Sequence, residues 1–261
     1  MKKILFYIFV FSIMLNCRAY AKTYDLSHIA KCKLVSEYSE NTEVDQMDTI
    51  TFGSYPQSDV SGNIKDPIEW IVLDKQGDKA LLLSKYILDF KWYNDEFKNI
   101  TWGSCTLRDW LNVTFYNTAF NSSEKGRIDI TYVKNNKNKE YGTGGGNITY
   151  DHIFLLSLDE AEKYFSPENR NFCSRLATKG TNYAKKVDNS GSDLSVNTSN
   201  NDEWFENSDF WLRTSGHTEY SAALVTHRGS IDEIGTVVNG KRFNAITCYY
   251  GVRPAMWVKL S

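Results

Sequence analysis

Arg213 and Arg253 are the residues whose neighbours most constrain the chemistry of this 261-residue chain. One ends Asp209-Phe210-Trp211-Leu212-Arg213. The other stands in Gly251-Val252-Arg253-Pro254-Ala255-Met256-Trp257, so each is a charge among aromatic and aliphatic side chains. Burying an unpaired charge is very costly, so this pattern implies partners built around the charge. Arg108, in Cys105-Thr106-Leu107-Arg108-Asp109-Trp110-Leu111-Asn112, belongs with them. A guanidinium fork can clamp a ligand carboxylate. Pairing with core carboxylates and carbonyls accounts for the same residues without a ligand. Arg108, Trp110, Trp211, Arg213 and Arg253 are therefore read as fixed points of one compact domain.

The remaining candidates for chemistry are dispersed. His28, His152, His217 and His227 show no helical i, i+4 pairing. Cys32, Cys105, Cys173 and Cys248 match no zinc spacing and are too sparse for a disulfide scaffold. One or two disulfides, or small core residues, account for them equally well. Asn94-Asp95-Glu96 and Asn201-Asp202-Glu203 offer oxygens that suit Ca²⁺, though solvated acidic turns explain them as well. Asp159 and Glu160 open a helix, where cap and dipole suffice. The run Gly142-Thr143-Gly144-Gly145-Gly146 lacks the Lys-Ser/Thr of a phosphate loop, and no Gly-x-Ser-x-Gly elbow occurs. Trp92 and Trp204 stand in polar surroundings, where an exposed ring can stack on a sugar or anchor a protein.

These residues need elements to position them. Residues 1–21 read as a signal peptide: Lys2-Lys3, an apolar run over 4–15 broken by Ser12, and Ala19-Tyr20-Ala21 before Lys22. Export is expected. Cys17 closes Ile13-Met14-Leu15-Asn16-Cys17, similar to a relaxed bacterial lipobox with an unusual asparagine, so a lipid anchor at Cys17 is the one membrane link considered. Without residues 1–21 the chain has 27 basic and 32 acidic residues, a net charge of −5. That excludes a phosphate-tracking nucleic-acid binder.

Residues 22–46 read as a linker or lead-in, and 47–261 as a single domain. Strands are expected near 49–53, and a hairpin joins 68–73 to 80–83 around Gln76-Gly77-Asp78. Leu107, Trp110, Leu111 and Phe115 mark an amphipathic helix capped by Ser104. A strand follows over 128–133, then a flexible loop over 135–147 and a strand over 153–156. Ser157 and Glu160 form a capping box for a helix through Tyr164. A short helix spans 178–185, a surface loop 188–201, and short strands close the chain. The class is α+β, with long loops in the second half.

Read in order, Trp102, Cys105 to Asn112, Phe115-Tyr116-Asn117-Thr118-Ala119-Phe120, Phe154-Leu155-Leu156-Ser157-Leu158-Asp159-Glu160-Ala161, Trp211-Leu212-Arg213 and Gly251-Val252-Arg253-Pro254-Ala255 resemble a widespread family of bacterial domains of unknown function, over about residues 48–261. The two closing motifs are also similar to C-type-lectin-like domains of the formylglycine-generating-enzyme type. That likeness implies a C-type-lectin-like fold with two helices, a twisted antiparallel sheet and a ligand-facing loop end. Formylglycine-generating enzymes hold copper through paired cysteines near the closing segment. Here Cys248 has no second cysteine after Arg253, so no such cofactor is expected.

The expectation is an exported, non-catalytic domain that binds a glycan or protein partner at the cell envelope or surface. Trp204, His217, Tyr220, Tyr249 and Tyr250 are the expected ligand-binding residues, and no catalytic residue or resident metal is assigned. The rivals are an enzyme acting on cell-wall or protein substrates through a cysteine or carboxylate centre, and a structural envelope lipoprotein.

Overall fold

The computed structural model describes residues 48–165, 176–187, 207–239 and 249–260, all within the unit Asp45–Ser261. Cys17, Cys32, Cys173, Cys248, His28 and Trp204 lie outside the described residues.

Alternating residues build the first sheet. Strands β1 (Thr49–Tyr55), β2 (Asp66–Gln76), β3 (Lys79–Ser84) and β11 (Ala255–Lys259) pair antiparallel in the order β1-β2-β3-β11. The β2–β3 turn needs a left-handed residue, which Gly77 supplies at φ +61°. Trp70 is fully buried and donates its indole N–H to the Phe52 carbonyl at 2.6 Å, so its one polar atom is satisfied inside the core.

The second sheet comprises β4 (Asp89–Lys91), β10 (Tyr250–Val252), β7 (Phe210–Ser215), β8 (Ser221–Val225) and β9 (Ile231–Val237), in the order β4-β10-β7-β8-β9. One ribbon links the two sheets. The pair β3/β11 ends at Leu83 and Ala255, and the pair β4/β10 resumes with Val252 opposite Asp89. Arg253-Pro254 steps the chain across this bend, and proline is tolerated there because it ends one ladder before the next begins. Gly251 lies against Ile87: a Cβ on it would sit 2.7 Å from the isoleucine Cδ1. A two-stranded ribbon, β5 (Thr131–Val133) and β6 (Thr149–Asp151), stands apart.

The helices are short. Thr106–Trp110 (α1) passes into a wider π-type turn at Leu111–Phe115 and then Tyr116–Ala119 (α2); Leu107, Leu111 and Phe115 are buried. Ser122–Lys125 (α3), Leu158–Phe165 (α4) and Asn182–Val187 (α5) follow. The architecture is thus α+β, antiparallel strands with a few short helices.

Four local expectations are corrected. Ser104 belongs to a 3₁₀ turn, Trp102–Ser104, and the cap of α1 is Cys105, whose sulfur accepts the Arg108 N–H at 3.4 Å. The 135–147 segment is pinned: buried Asn138 donates to Ser215 O and Glu233 O, each at 2.9 Å, and its carbonyl oxygen accepts from Glu140 and Tyr141. Residues 153–156 are buried but form no ladder: Phe154 bridges Ala255, and the Leu156 carbonyl accepts the Arg213 N–H of β7 at 2.9 Å. Helix α5 starts at Asn182 because Lys179 and Gly180 are held extended by bridges to Asn207 and Ile87.

Candidate functional site

The end of β4, the start of α1 and the residue before β10 converge on a cleft of about 250 Å³ lined by Lys91, Trp92, Asp95, Thr106, Leu107, Trp110 and Tyr249. Pairing of β10 with β4 sets Tyr250 opposite Lys91, which carries the neighbouring Tyr249 to Trp92. The two rings lie 4.5 Å apart at 30°. Across the cleft the Lys91 ammonium sits 4.3 Å from the centre of the Trp110 ring. This is a cation–π contact on the face of the best aromatic acceptor.

The loop that carries the cleft's acid is fixed from beneath. Buried Asn94 donates its backbone N–H to Val238 O at 3.1 Å, and its side chain donates to Glu96 O and accepts the Thr106 N–H. Asp95 donates its backbone N–H to the Thr106 hydroxyl oxygen at 3.0 Å, leaving its carboxylate exposed. Burial first, and then the Asp95 charge, raise the titration of the Tyr249 hydroxyl. Lys91 is anchored by its backbone, whose carbonyl accepts the Trp211 indole N–H at 2.8 Å.

A buried carboxylate underlies the cation. Asp89 accepts from the Tyr55 hydroxyl at 2.8 Å and the Phe90 N–H at 2.8 Å, with the Lys91 ammonium 3.8 Å away. Burial raises the Asp89 titration and outweighs those three stabilising contacts. The same burial, with Asp89 beside it, pushes the Tyr55 hydroxyl strongly upward.

Such a cleft can stack an aliphatic or sugar face on rings and meet hydroxyls or charges with Asp95, Thr106 and Lys91. Among the described residues, the cysteine and histidines considered for covalent chemistry stand elsewhere. Burial pushes the Cys105 thiol up to about 12, so it is not a thiolate at neutral pH. Cys105 bonds Trp102 O and the Arg108 N–H. The histidines have other neighbours: His152 stacks on Tyr116 at 4.5 Å, His217 lies edge-on to Tyr141, and His227 meets Asp209 at 3.0 Å. Among the described residues no group of three or more His, Cys, Asp or Glu could hold a metal ion. Among them, too, no helix is long and apolar enough to cross a membrane.

The ligand-binding residues expected from the sequence divide among several places. Tyr249 lines the cleft. Tyr250, one residue on, turns inward and packs edge-on against Trp211 at 4.8 Å. Tyr220 packs on Phe97 at 5.2 Å, and His217 contacts Ile234 O at 3.2 Å. The sequence alone does not assign Lys91, Thr106 or Trp110 to a ligand site, and offers Asp95 only as a calcium ligand or solvated turn in Asn94-Asp95-Glu96. The available signal was Trp92, an aromatic ring in the polar stretch Lys91-Trp92-Tyr93-Asn94.

The structural arginines also have defined partners. Arg108 donates to Asp151 at 2.7 Å, and Asp151 also accepts from Trp102 and Thr149. Arg213 pairs with Glu160 and donates to Leu155 O at 2.7 Å. Arg253 donates to Ser84 O at 2.8 Å and Leu176 O at 2.9 Å.

Comparison with known proteins gives one family. Residues 77–260 match the model of DUF6273, a domain of unknown function, a span that takes in the cleft and both arginine motifs. No curated protein and no solved structure matches the chain.

Proposed function

The chain belongs to the DUF6273 family of domains of unknown function, and on that premise we propose that it is a non-catalytic carbohydrate-binding domain. The observation that carries this reading is the Trp92–Tyr249 pair facing a recess whose remaining walls are Trp110 and the polar side chains of Asp95, Thr106 and Lys91. Rings present flat apolar faces to the C–H groups of a sugar, while a few convergent polar groups select its hydroxyls. The reading includes export to the cell envelope or surface, supported by Lys2-Lys3, the apolar run over 4–15 and Ala19-Tyr20-Ala21. Lipidation at Cys17 would hold the domain at a membrane. It also includes a C-type-lectin-like kinship, supported by the order of Trp211-Leu212-Arg213 and Gly251-Val252-Arg253-Pro254-Ala255.

The purified protein is tested on a glycan array with calcium and with chelator, beside Trp92→Ala. Binding is expected to fall about tenfold in the variant, the change that corresponds to losing about 1.4 kcal/mol of ring contact. Retention of wild-type binding by both Trp92→Ala and Tyr249→Ala would sink the assignment of this cleft. A protein partner is the second reading, favoured by the ribbon face. There Tyr132 and Tyr150, cross-strand partners, are 57% and 62% exposed beside exposed Ile130 and Ile148.

A further inference from the structure

We propose that the glycan taken by this cleft carries a free amino group, so that the site selects an ammonium-bearing amino sugar over its N-acetylated counterpart. This inference rests on the carbohydrate reading above and adds the class of sugar. It follows from how the cleft's charges are matched. Lys91 is the one cation among the described lining residues. Its ammonium lies between the buried acid Asp89, 3.8 Å away, and the Trp110 face at 4.3 Å. Lys91 is thus flanked by partners of its own and covered by a ring. Asp95 is the one anion among the described lining residues, and among the described residues no ion pair or side-chain hydrogen bond engages its exposed carboxylate.

Asp95 is thus the exposed acid among the described lining residues. That charge stands beside an aromatic wall, because Asp95 acts electrostatically on the Tyr249 hydroxyl. A carboxylate next to ring faces is the chemistry that recognises an ammonium group: a charge-assisted hydrogen bond on one side, the ring quadrupole on the other. A pyranose laid on an outer face of the stacked Trp92–Tyr249 pair needs only an amino substituent on the Asp95 side to use both. Acetylation removes the charge, and the resulting amide offers Asp95 only a neutral N–H. An anionic sugar would meet Asp95 as a like charge, while Lys91 could serve it only by leaving Asp89.

The test is calorimetric titration of the full chain with two probes, a glucosamine tetramer and an N-acetylglucosamine tetramer, at mildly acidic pH where the amine is protonated. Wild type is expected to bind the free amine at least about tenfold more tightly, in line with the greater strength of hydrogen bonds to charged groups. Asp95→Asn is expected to erase that preference by weakening the free amine's binding far more than the acetylated tetramer's, and added salt to weaken the preference. Equal binding of the two tetramers, both lowered by Trp92→Ala, would overturn the amino selectivity and leave the carbohydrate reading standing. Tighter binding of the acetylated tetramer, or a preference that survives Asp95→Asn, overturns it as well. If neither tetramer binds at millimolar concentration the inference is wrong, and the carbohydrate reading is then decided separately by the array and Trp92→Ala.

Discussion

Arg213 and Arg253 are buried to nearly the same degree, 4% and 1% exposed, yet their charges are satisfied differently. Arg213 meets the carboxylate of Glu160 in the first turn of α4, the carbonyls of Leu155 and Lys134, and the face of Phe154. Arg253 has three carbonyls, those of Ser84, Lys85 and Leu176, and the face of Phe210. Among the described residues no carboxylate pairs with it. Its hydrogen-bond donors are engaged while its charge is not matched, and burial therefore lowers its titration to about 9, still protonated at neutral pH. The difference follows from position. Arg213 sits where a strand passes a helix start, and an acid there also suits the helix dipole. Arg253 sits at the bend of the ribbon that joins the two sheets, where the end of β3 and the Leu176 segment turn carbonyls toward it.

The largest effect is expected where that bend loses its staple. Arg253→Met keeps the aliphatic stem but removes the guanidinium donor from the carbonyls of Ser84 and Leu176 in a buried place, while Lys85 O keeps the Thr178 hydroxyl at 2.7 Å. Leaving a buried acceptor unsatisfied typically costs about 1–3 kcal/mol for each group. Urea unfolding of the variant should show a lower midpoint with an unchanged slope. A midpoint equal to wild type would break the comparison, because it would mean the carbonyl socket contributes nothing.

Arg213→Met should cost less, about 1–3 kcal/mol by the same measurement. The reason is what is left behind. Glu160 is 31% exposed and retains the Ser157 N–H as a donor at 2.9 Å, so water and the cap can still satisfy it. A cost equal to or above that of Arg253→Met would show that the ion pair, not the ribbon bend, is the more important staple.

Much of this scaffold was readable before the fold was known. Ser157 and Glu160 exchange both capping-box hydrogen bonds, 3.1 Å from Glu160 N–H to Ser157 Oγ and 2.9 Å in return. The periodicity of Leu107, Leu111 and Phe115 gives the buried stripe of the first helical run, and Gly77 the hairpin turn. What escaped depended on partners distant in sequence. The cap argument explained Glu160 fully, so nothing pointed on to Arg213. The glycine-rich segment looked flexible because its anchor is one asparagine, Asn138, bonded to Ser215 and Glu233 in strands much later in the chain. Trp92 and Asp95 come to Tyr249 only through the β4–β10 pairing, and no local pattern announces that register. Trp110 satisfied a helical period and was read as core, whereas it is half-buried under the Lys91 ammonium.

Asp89 extends the comparison to a buried acid and gives the smallest expected effect. Its cation, Lys91, is near enough to attract but at 3.8 Å not in close contact, so the carboxylate stands between the matched Arg213 and the unmatched Arg253. Burial raises its titration in the folded protein above the unfolded value of about 3.9. Between those two values the folded state holds the extra proton. The associated stability is therefore fully present below about pH 4 and is lost as pH rises through the folded-state titration. Asp89→Asn has no such proton. Relative to wild type, the variant should gain stability as pH increases from about 4 toward neutrality, read as a narrowing or reversal of the gap between the two urea midpoints. Parallel curves for the two proteins across that range would show Asp89 ionised as in the unfolded chain. Lys91 and the Tyr55 hydroxyl would then neutralise it as completely as Glu160 neutralises Arg213.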